Sequence, residues 1–231
     1  MKYIVSFSGG KDSTAMLLRM LELDMKVDEI IFADTGLEFP ELYDYIKKVE
    51  NYIGRKVKFV NGITWDKWFY DKFTRGKLKG RIRGFPYVVN QCWGTRELKT
   101  KPLKKAQGKG NVIYIGITKD EERRTEREEY KKDNKYRFPL VKWGWTEQKC
   151  KMYLKKKDML NPLYEKFDRL GCWLCPKQSK NSLRVLLEDY PDLWEKLKQY
   201  EKDSPHGFKP DFSLEQFEKK WTEQQNLEMM E

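Results

Sequence analysis

Ser8, Gly9, Gly10, Lys11, Asp12, Ser13 and Thr14 follow an apolar run, residues 3–7, and precede an apolar stretch, residues 15–23. That order reads as strand, turn and helix. Two adjacent glycines tolerate positive φ and let backbone N–H groups come close to a ligand. A helix starting near Asp12 aims its positive end at the same spot, and Lys11 adds a full charge. These residue types suit a cradle for pyrophosphate, with Lys11, Asp12 and Ser13 placed to act on the reacting phosphates. Two commoner phosphate motifs are excluded. The P-loop needs four residues between its first glycine and Gly-Lys-[Ser/Thr], and the Gly-x-Gly-x-x-Gly of dinucleotide folds is absent.

The second group with chemistry is sulfur. The four cysteines are Cys92, Cys150, Cys172 and Cys175. Cys172 and Cys175 have the two-residue spacing that lets both sulfurs reach one metal. Disulfides are not expected in a chain without an export signal. Four thiols in three segments suit a four-thiolate site for [4Fe–4S] or Zn2+, and the spacing does not choose between them. The other reading makes Cys150 a buried core thiol. His206, in a polar segment, is the one histidine. A histidine triad or Zn–His site is therefore not expected, and acid–base chemistry falls to carboxylates, lysine or the substrate.

The formal net charge is +11 over 231 residues. Residues 75–110 hold eleven Lys or Arg against one acid, Glu97, so nearly the whole excess lies in one glycine-rich stretch. Its glycines suggest a partly mobile loop. Its charge suggests a polyanion partner, since neutralising phosphates with Lys and Arg releases counterions. A nucleic acid accounts for that much charge better than one mononucleotide does. No apolar run approaches the ~20 residues that span a bilayer. No membrane partner is expected, and with no signal peptide the expected location is the cytoplasm.

The elements that would position these groups alternate between strand and helix. Strands are expected at 3–7, 29–32, 56–60 and 112–117. Helices are expected at 12–23, 40–53, 65–73, 146–157 (Thr146 as N-cap), 179–190, 193–202 and 214–225. Strands separated by helices imply an α/β fold with an open, mostly parallel sheet. The expected organisation is an α/β core over 1–145, a helical metal-binding extension over 146–204 packed on it, and a polar tail over 205–231.

Residues 8–14, Ser-Gly-Gly-Lys-Asp-Ser-Thr, resemble the PP-loop of the N-type ATP pyrophosphatases. Within that superfamily the chain most resembles the phosphoadenosine phosphosulfate (PAPS) reductase family. Residues 32–41, Phe-Ala-Asp-Thr-Gly-Leu-Glu-Phe-Pro-Glu, are close to that family's Asp-Thr-Gly-x-x-Phe-Pro-Glu. Residues 116–124, Gly-Ile-Thr-Lys-Asp-Glu-Glu-Arg-Arg, are similar to its Gly-Ile-Arg-x-Asp-Glu-Ser-x-Arg. Here Thr118 stands where an arginine is usual and Glu122 where a small residue is usual. Pro139, Leu140 and Trp143 match its Pro-Leu-x-x-Trp. Residues 91–99 resemble its Cys-Cys-x-x-x-Lys segment with one cysteine missing.

The resemblance implies a Rossmann-like PP-loop fold. It implies nucleotide binding by Ser8, Gly9, Gly10, Lys11, Asp12, Ser13, Thr14, Asp34, Thr35, Gly116, Asp120, Glu121 and Arg124. ATP is the expected ligand. Mg2+ would share the pyrophosphate charge, oriented by Asp12 or Asp34. Several relatives hold a cluster, and the Gly-Cys-Trp-x-Cys turn looks like that of the DNA phosphorothioation members. The resemblance therefore favours [4Fe–4S] over Zn2+ on Cys92, Cys150, Cys172 and Cys175. The sulfonucleotide reductases carry a tandem cysteine pair and a late catalytic cysteine, whereas this sequence has neither a tandem pair nor a cysteine after Cys175. The function expected is an ATP pyrophosphatase that activates a substrate by adenylylation. It would support sulfur transfer to a nucleic acid, with a sulfur-donor protein as a further partner. The alternatives are a sulfonucleotide reductase and a non-catalytic binding component of a modification complex.

Overall fold

The computed structural model describes residues 1–86, 92–131 and 134–228, the side chains of 225–228 excepted. In chain order its elements are β1 (Tyr3–Phe7), α1 (Lys11–Glu22), β2 (Glu29–Ala33), α2 (Pro40–Ile53), β3 (Lys58–Val60), α3 (Trp65–Phe69), α4 (Lys101–Gln107), β4 (Val112–Ile115), α5 (Glu128–Lys131), β5 (Tyr136–Arg137), α6 (Pro139–Lys142), α7 (Glu147–Lys156), α8 (Lys180–Asp189), α9 (Pro191–Asp203) and α10 (Leu214–Glu228).

The five strands form one sheet in the order β3-β2-β1-β4-β5, with every neighbouring pair parallel. β1 is central: Val5 lies between Ile30 of β2 and Tyr114 of β4. A parallel strand covered on both faces reads as a near-continuous apolar run, and Ile4, Val5 and Phe7 are buried accordingly. Ile4, Ile31 and Ile113 of three adjacent strands make a cluster on which Leu103 and Ala106 of α4 pack.

From β1 the chain adds β2 and β3 on one side, then returns to add β4 and β5 on the other. The carboxyl ends of β1 and β4 thus flank the topological switch point, where open α/β sheets bind ligands. Residues 8–13 follow β1, Asp34 and Thr35 follow β2, and residues 116–124 follow β4. All three sequence blocks meet at one edge of the sheet.

Two compact units are present, Met1–Gly62 with Leu98–Leu170 and Ile63–Glu97 with Gly171–Glu231. Contacts thus divide the chain at other places than 145 and 204. Helix α7 belongs with the sheet because it packs along α1. Thr146 caps α7 as expected, accepting from the Lys149 N–H at 3.2 Å. In the second unit an aromatic core forms around Trp65, Phe69, Phe85, Tyr200 and Phe208. Trp65 stacks on Trp93 with centroids 4.5 Å apart.

Some boundaries differ from expectation. β3 begins at Lys58, β4 ends at Ile115 and α3 stops at Phe69. Much of the basic stretch has regular structure: a wide helical turn at Thr95–Thr100 runs into α4, and Lys72 pairs with Ile82 in an antiparallel bridge. Residues 87–91 of that stretch lie outside the described residues. Among the described residues no helix is long and apolar enough to cross a membrane.

The α1–α7 pair is fastened at its far end by charge. Glu22 accepts from Lys157 at 2.6 Å and from Arg19 at 3.0 Å. Burial alone would raise the Glu22 carboxyl, but its cationic donors hold it down at about 2. Such an acid stabilises the fold above its unfolded pKa, near 4.5, and loses that contribution as pH falls towards 2. Glu22→Gln should cost about 1 kcal/mol at pH 7, a partly exposed pair being worth little more. Melting curves at pH 7 and below pH 3 should show that difference shrink, and a difference that does not change with pH would refute the clamp.

Candidate functional site

The phosphate-type turn is shaped by contacts from far along the chain. Gly9 has φ +70°, a conformation that calls for glycine, and a Cβ there would also press on Leu42 Cδ1 at 2.5 Å. The Ser13 hydroxyl accepts from the Ser8 N–H at 3.2 Å and donates to the Gly10 carbonyl at 3.1 Å. Thr14 Oγ1 donates to the same carbonyl at 3.0 Å. Fully buried Asn161 donates from Nδ2 to the Gly9 carbonyl at 3.1 Å and accepts from the Leu163 N–H at 3.0 Å. The Tyr164 hydroxyl accepts from the Lys11 N–H at 3.0 Å.

The electrostatics centre on Lys11, whose side chain is only 12% exposed. Its ammonium lies 2.6 Å from Glu147 and 3.1 Å from Asp12. Burial opposes that charge, but Glu147 and Asp12 outweigh it and hold the lysine above its ordinary range. Asp12 is less well served. Burial pushes its carboxyl up to about 6 against the pull of Lys11. Its Oδ2 takes the lysine, while Oδ1 is buried with no hydrogen-bond partner among the described residues. An anion entering the turn would compete with Glu147 for Lys11. A cation entering with it would find a buried, unsatisfied carboxylate oxygen on Asp12, a fit to Mg2+ in donor chemistry.

The other two blocks close the edge. After β4, Gly116 comes against the start of α1: a Cβ there would lie 3.0 Å from both Cα and N of Ser13. Asp120, Glu121 and Arg124 sit in a 3-10 segment, Lys119–Glu126. Asp120 accepts from the Glu147 N–H at 3.1 Å, capping α7 beside Lys11, and Arg124 pairs with Glu121. Thr118, where the motif has arginine, is wholly buried. After β2, Asp34 accepts from the Gly36 N–H at 3.0 Å and from the Tyr43 hydroxyl at 2.8 Å. Buried Glu38 organises this loop, taking the Thr35 hydroxyl at 2.8 Å and the Leu37 N–H at 3.1 Å.

Asn161, Tyr164, Glu147 and Glu38 carry much of this geometry and were not singled out from sequence. Glu147 had one readable signal, as an acid in the first turn of a helix expected at 146.

The thiols are divided. Cys172 and Cys175 share one turn of the second unit, closed by the Cys175 N–H donating to the Cys172 carbonyl at 3.1 Å. Gln178 Nε2 donates to the carbonyls of Cys172 and Trp173 at 3.0 and 2.7 Å, and the Lys209 ammonium donates to the Pro176 carbonyl at 2.7 Å. Cys92 belongs to the same unit, and all three cysteines are half-buried. Cys150 belongs to the sheet unit, fully buried on α7. Burial and the nearby Asp12 push its thiol up to about 12. Among the described residues no three His, Cys, Asp or Glu side chains gather as a metal-binding group. The turn at 172–175 fits a thiolate-held metal in donor chemistry.

The family comparison decides the lineage. The phosphoadenosine phosphosulfate reductase domain matches residues 2–178, which include the phosphate turn, both later blocks and all four cysteines. The chain belongs to the PAPS reductase domain family. Two uncharacterized proteins of Methanocaldococcus jannaschii are 31% and 30% identical over 84% and 83% of the chain. The chain spans only 40% and 45% of their lengths. An adenosine 5'-phosphosulfate reductase of Geobacillus kaustophilus is 28% identical over 68% of the chain and 66% of its own length. Among solved structures, a PAPS reductase of Candida auris in complex with phosphate superposes with TM-score 0.52 at 18% identity. That match covers 75% of this chain and 82% of the other, and it agrees with the fold seen here.

In this family member a Cβ at Gly116 would meet backbone at Ser13 and Asp12. Gly116→Ala forces a Cβ onto backbone that a flexible side chain cannot relieve, at a cost of about 1–3 kcal/mol. Denaturant titration should show that loss with the unfolding slope unchanged, and a midpoint equal to wild type would show the contact to be slack.

Proposed function

We propose that the chain binds ATP at residues 8–14 and activates a substrate by adenylylation, the activated group then serving sulfur transfer to a nucleic acid. The observation that carries the reading is the buried Lys11 ammonium beside the N-terminus of α1 at the switch point, with a glycine turn held open by Asn161 and Tyr164. In the reaction a substrate oxygen attacks the α-phosphorus of ATP. The bond from that phosphorus to the bridging oxygen breaks, and pyrophosphate leaves carrying the electron pair. Negative charge grows on the leaving pyrophosphate, where the Lys11 ammonium and the positive end of α1 can meet it. The Gly9 carbonyl is already taken by Asn161, so it is held away from an incoming phosphate. Such a step needs positioning and charge neutralisation more than a protein base, in keeping with a chain whose one histidine lies outside this unit. Mg2+ would add charge neutralisation, with Asp12 as its candidate protein ligand.

Cys172, Cys175 and Cys92 are the candidate thiolates for an iron–sulfur cluster or Zn2+, with Cys150 as the candidate fourth. The basic stretch 75–110 is the candidate nucleic-acid contact: Arg75, Lys77, Lys79 and Arg81 are exposed, as are Lys101, Lys104 and Lys105. The second reading is a sulfonucleotide reductase, favoured by the resemblance to adenosine 5'-phosphosulfate reductases.

Exchange of labelled pyrophosphate into ATP tests the first reading. Wild type should support it once the acceptor is supplied, and Lys11→Ala should lose at least ~100-fold, the scale of one lost charge-stabilising donor. Thioredoxin-dependent sulfite release from adenosine 5'-phosphosulfate, without exchange, would replace it by the second. Anaerobic isolation with iron, sulfide and zinc assays tests the thiolates. Cys172→Ser and Cys175→Ser should each lose the metal, and full retention in both would remove that turn from any metal site.

A further inference from the structure

A groove in the second unit, between α8 and α10, has no part in the chemistry above. Its cavity measures about 560 Å3, within the range of small-ligand sites, roughly 300–1,000 Å3. Three half-buried rings line it: Phe212, Phe217 and Trp221. Phe212 and Phe217 lie nearly parallel, 26° apart with centroids at 5.6 Å. The Trp221 indole N–H donates to Glu188 at 2.9 Å, which fixes the ring plane. Three cations stand among the rings: Lys180 and Arg184 from α8 and Lys220 from α10. The Arg184 guanidinium lies 4.9 Å from the Trp221 centroid, and the Lys180 ammonium 5.6 Å from that of Phe212. Among the described residues none of the three cations is ion-paired, and the one acid in the lining is Asp211.

We infer that this groove is a docking site for single-stranded nucleic acid, in which one or two bases lie against Trp221 and the Phe212–Phe217 pair while Lys180, Arg184 and Lys220 neutralise the flanking phosphates. Every base has a π-face, and aromatic side chains interleaved with Lys and Arg are how proteins hold single strands without reading sequence. A duplex keeps its bases stacked on one another and offers no free face to these rings. A free mononucleotide carries too few phosphates to engage three separated cations. Asn181 of α8 and Gln216 of α10, also in the lining, offer donors and acceptors to a base edge. The inference deepens the nucleic-acid part of the proposed function and rests on it; it is independent of the chemistry at Lys11.

Fluorescence anisotropy of the full chain with a labelled 12-nucleotide single strand tests it, beside a 12-base-pair duplex and adenosine monophosphate as competitor. The strand should bind more tightly than the duplex, and adenosine monophosphate should not displace it. Trp221→Ala should weaken binding about tenfold, the scale of one lost stacking partner, and Trp221→Phe should restore most of it. Arg184→Ala and Lys220→Ala should each lower the slope of log affinity against log salt by about one phosphate contact. Equal melting temperatures would show that these surface variants fold. Unchanged affinity and slope in all the groove variants, with binding lost on combined Lys101, Lys104 and Lys105→Ala, would overturn the groove and leave the nucleic-acid reading standing. No binding by wild type would overturn both. Displacement by adenosine monophosphate, or equal affinity for the duplex, would overturn the single-strand assignment.

Discussion

The site rests on how closely the start of α1 approaches the end of β4. Gly116 presents no side chain to Ser13, so the first turn of α1 can sit at the crevice where the strand order reverses. Everything else at the edge follows from that placement. The positive end of α1 lies at the crevice because α1 begins there, and Lys11 is largely enclosed, with α7 packed along α1. The Asp120 cap of α7 delivers Glu147 to Lys11. A larger residue at 116 would shift the helix and with it the lysine, its two carboxylates and the hydroxyl of Ser13.

The charge arrangement around Lys11 is that of a site prepared for exchange. A lysine buried with no counter-charge would lose its proton, and one paired too well would not leave its partner. Glu147 sits on a half-exposed surface and can release the lysine to solvent-borne phosphate. Asp12 stays close and keeps one oxygen unsatisfied. The ion pair thus holds the ammonium in place and charged while leaving it available.

The α/β class and four of the five strands were legible as local patterns (apolar runs of strand length, glycines at turns, an N-cap threonine), and the blocks at 32–41 and 116–124 through their resemblance to family motifs. The parts that escaped are those in which an ordinary polar residue matters only by where the fold carries it. Asn161 and Tyr164 have no motif, yet they hold a turn some 150 positions away in sequence. Glu38 falls at a variable position of its motif and is buried among the donors it satisfies. β5, two residues long, carries no periodicity at all. The helical part of the basic stretch was hidden because its glycines and lysines dominate its composition. The sequence spacing of the four cysteines says nothing of their unit membership, Cys150 in the sheet unit and the other three in the second.

The interleaved course of the chain has a consequence for its synthesis. The aromatic core of the second unit is built from residues 63–97 and 171–231. Trp65, Phe69 and Phe85 leave the ribosome well before Tyr200 and Phe208, the partners that bury them. At ~5–20 residues per second, roughly 100 residues of delay leave that apolar surface uncovered for several seconds or more. Residues 63–86 carry Lys67, Lys72, Arg75, Lys77, Lys79, Arg81 and Arg83 through the same interval. Like charges on neighbouring nascent chains repel, so these seven cations oppose association of the segment they belong to.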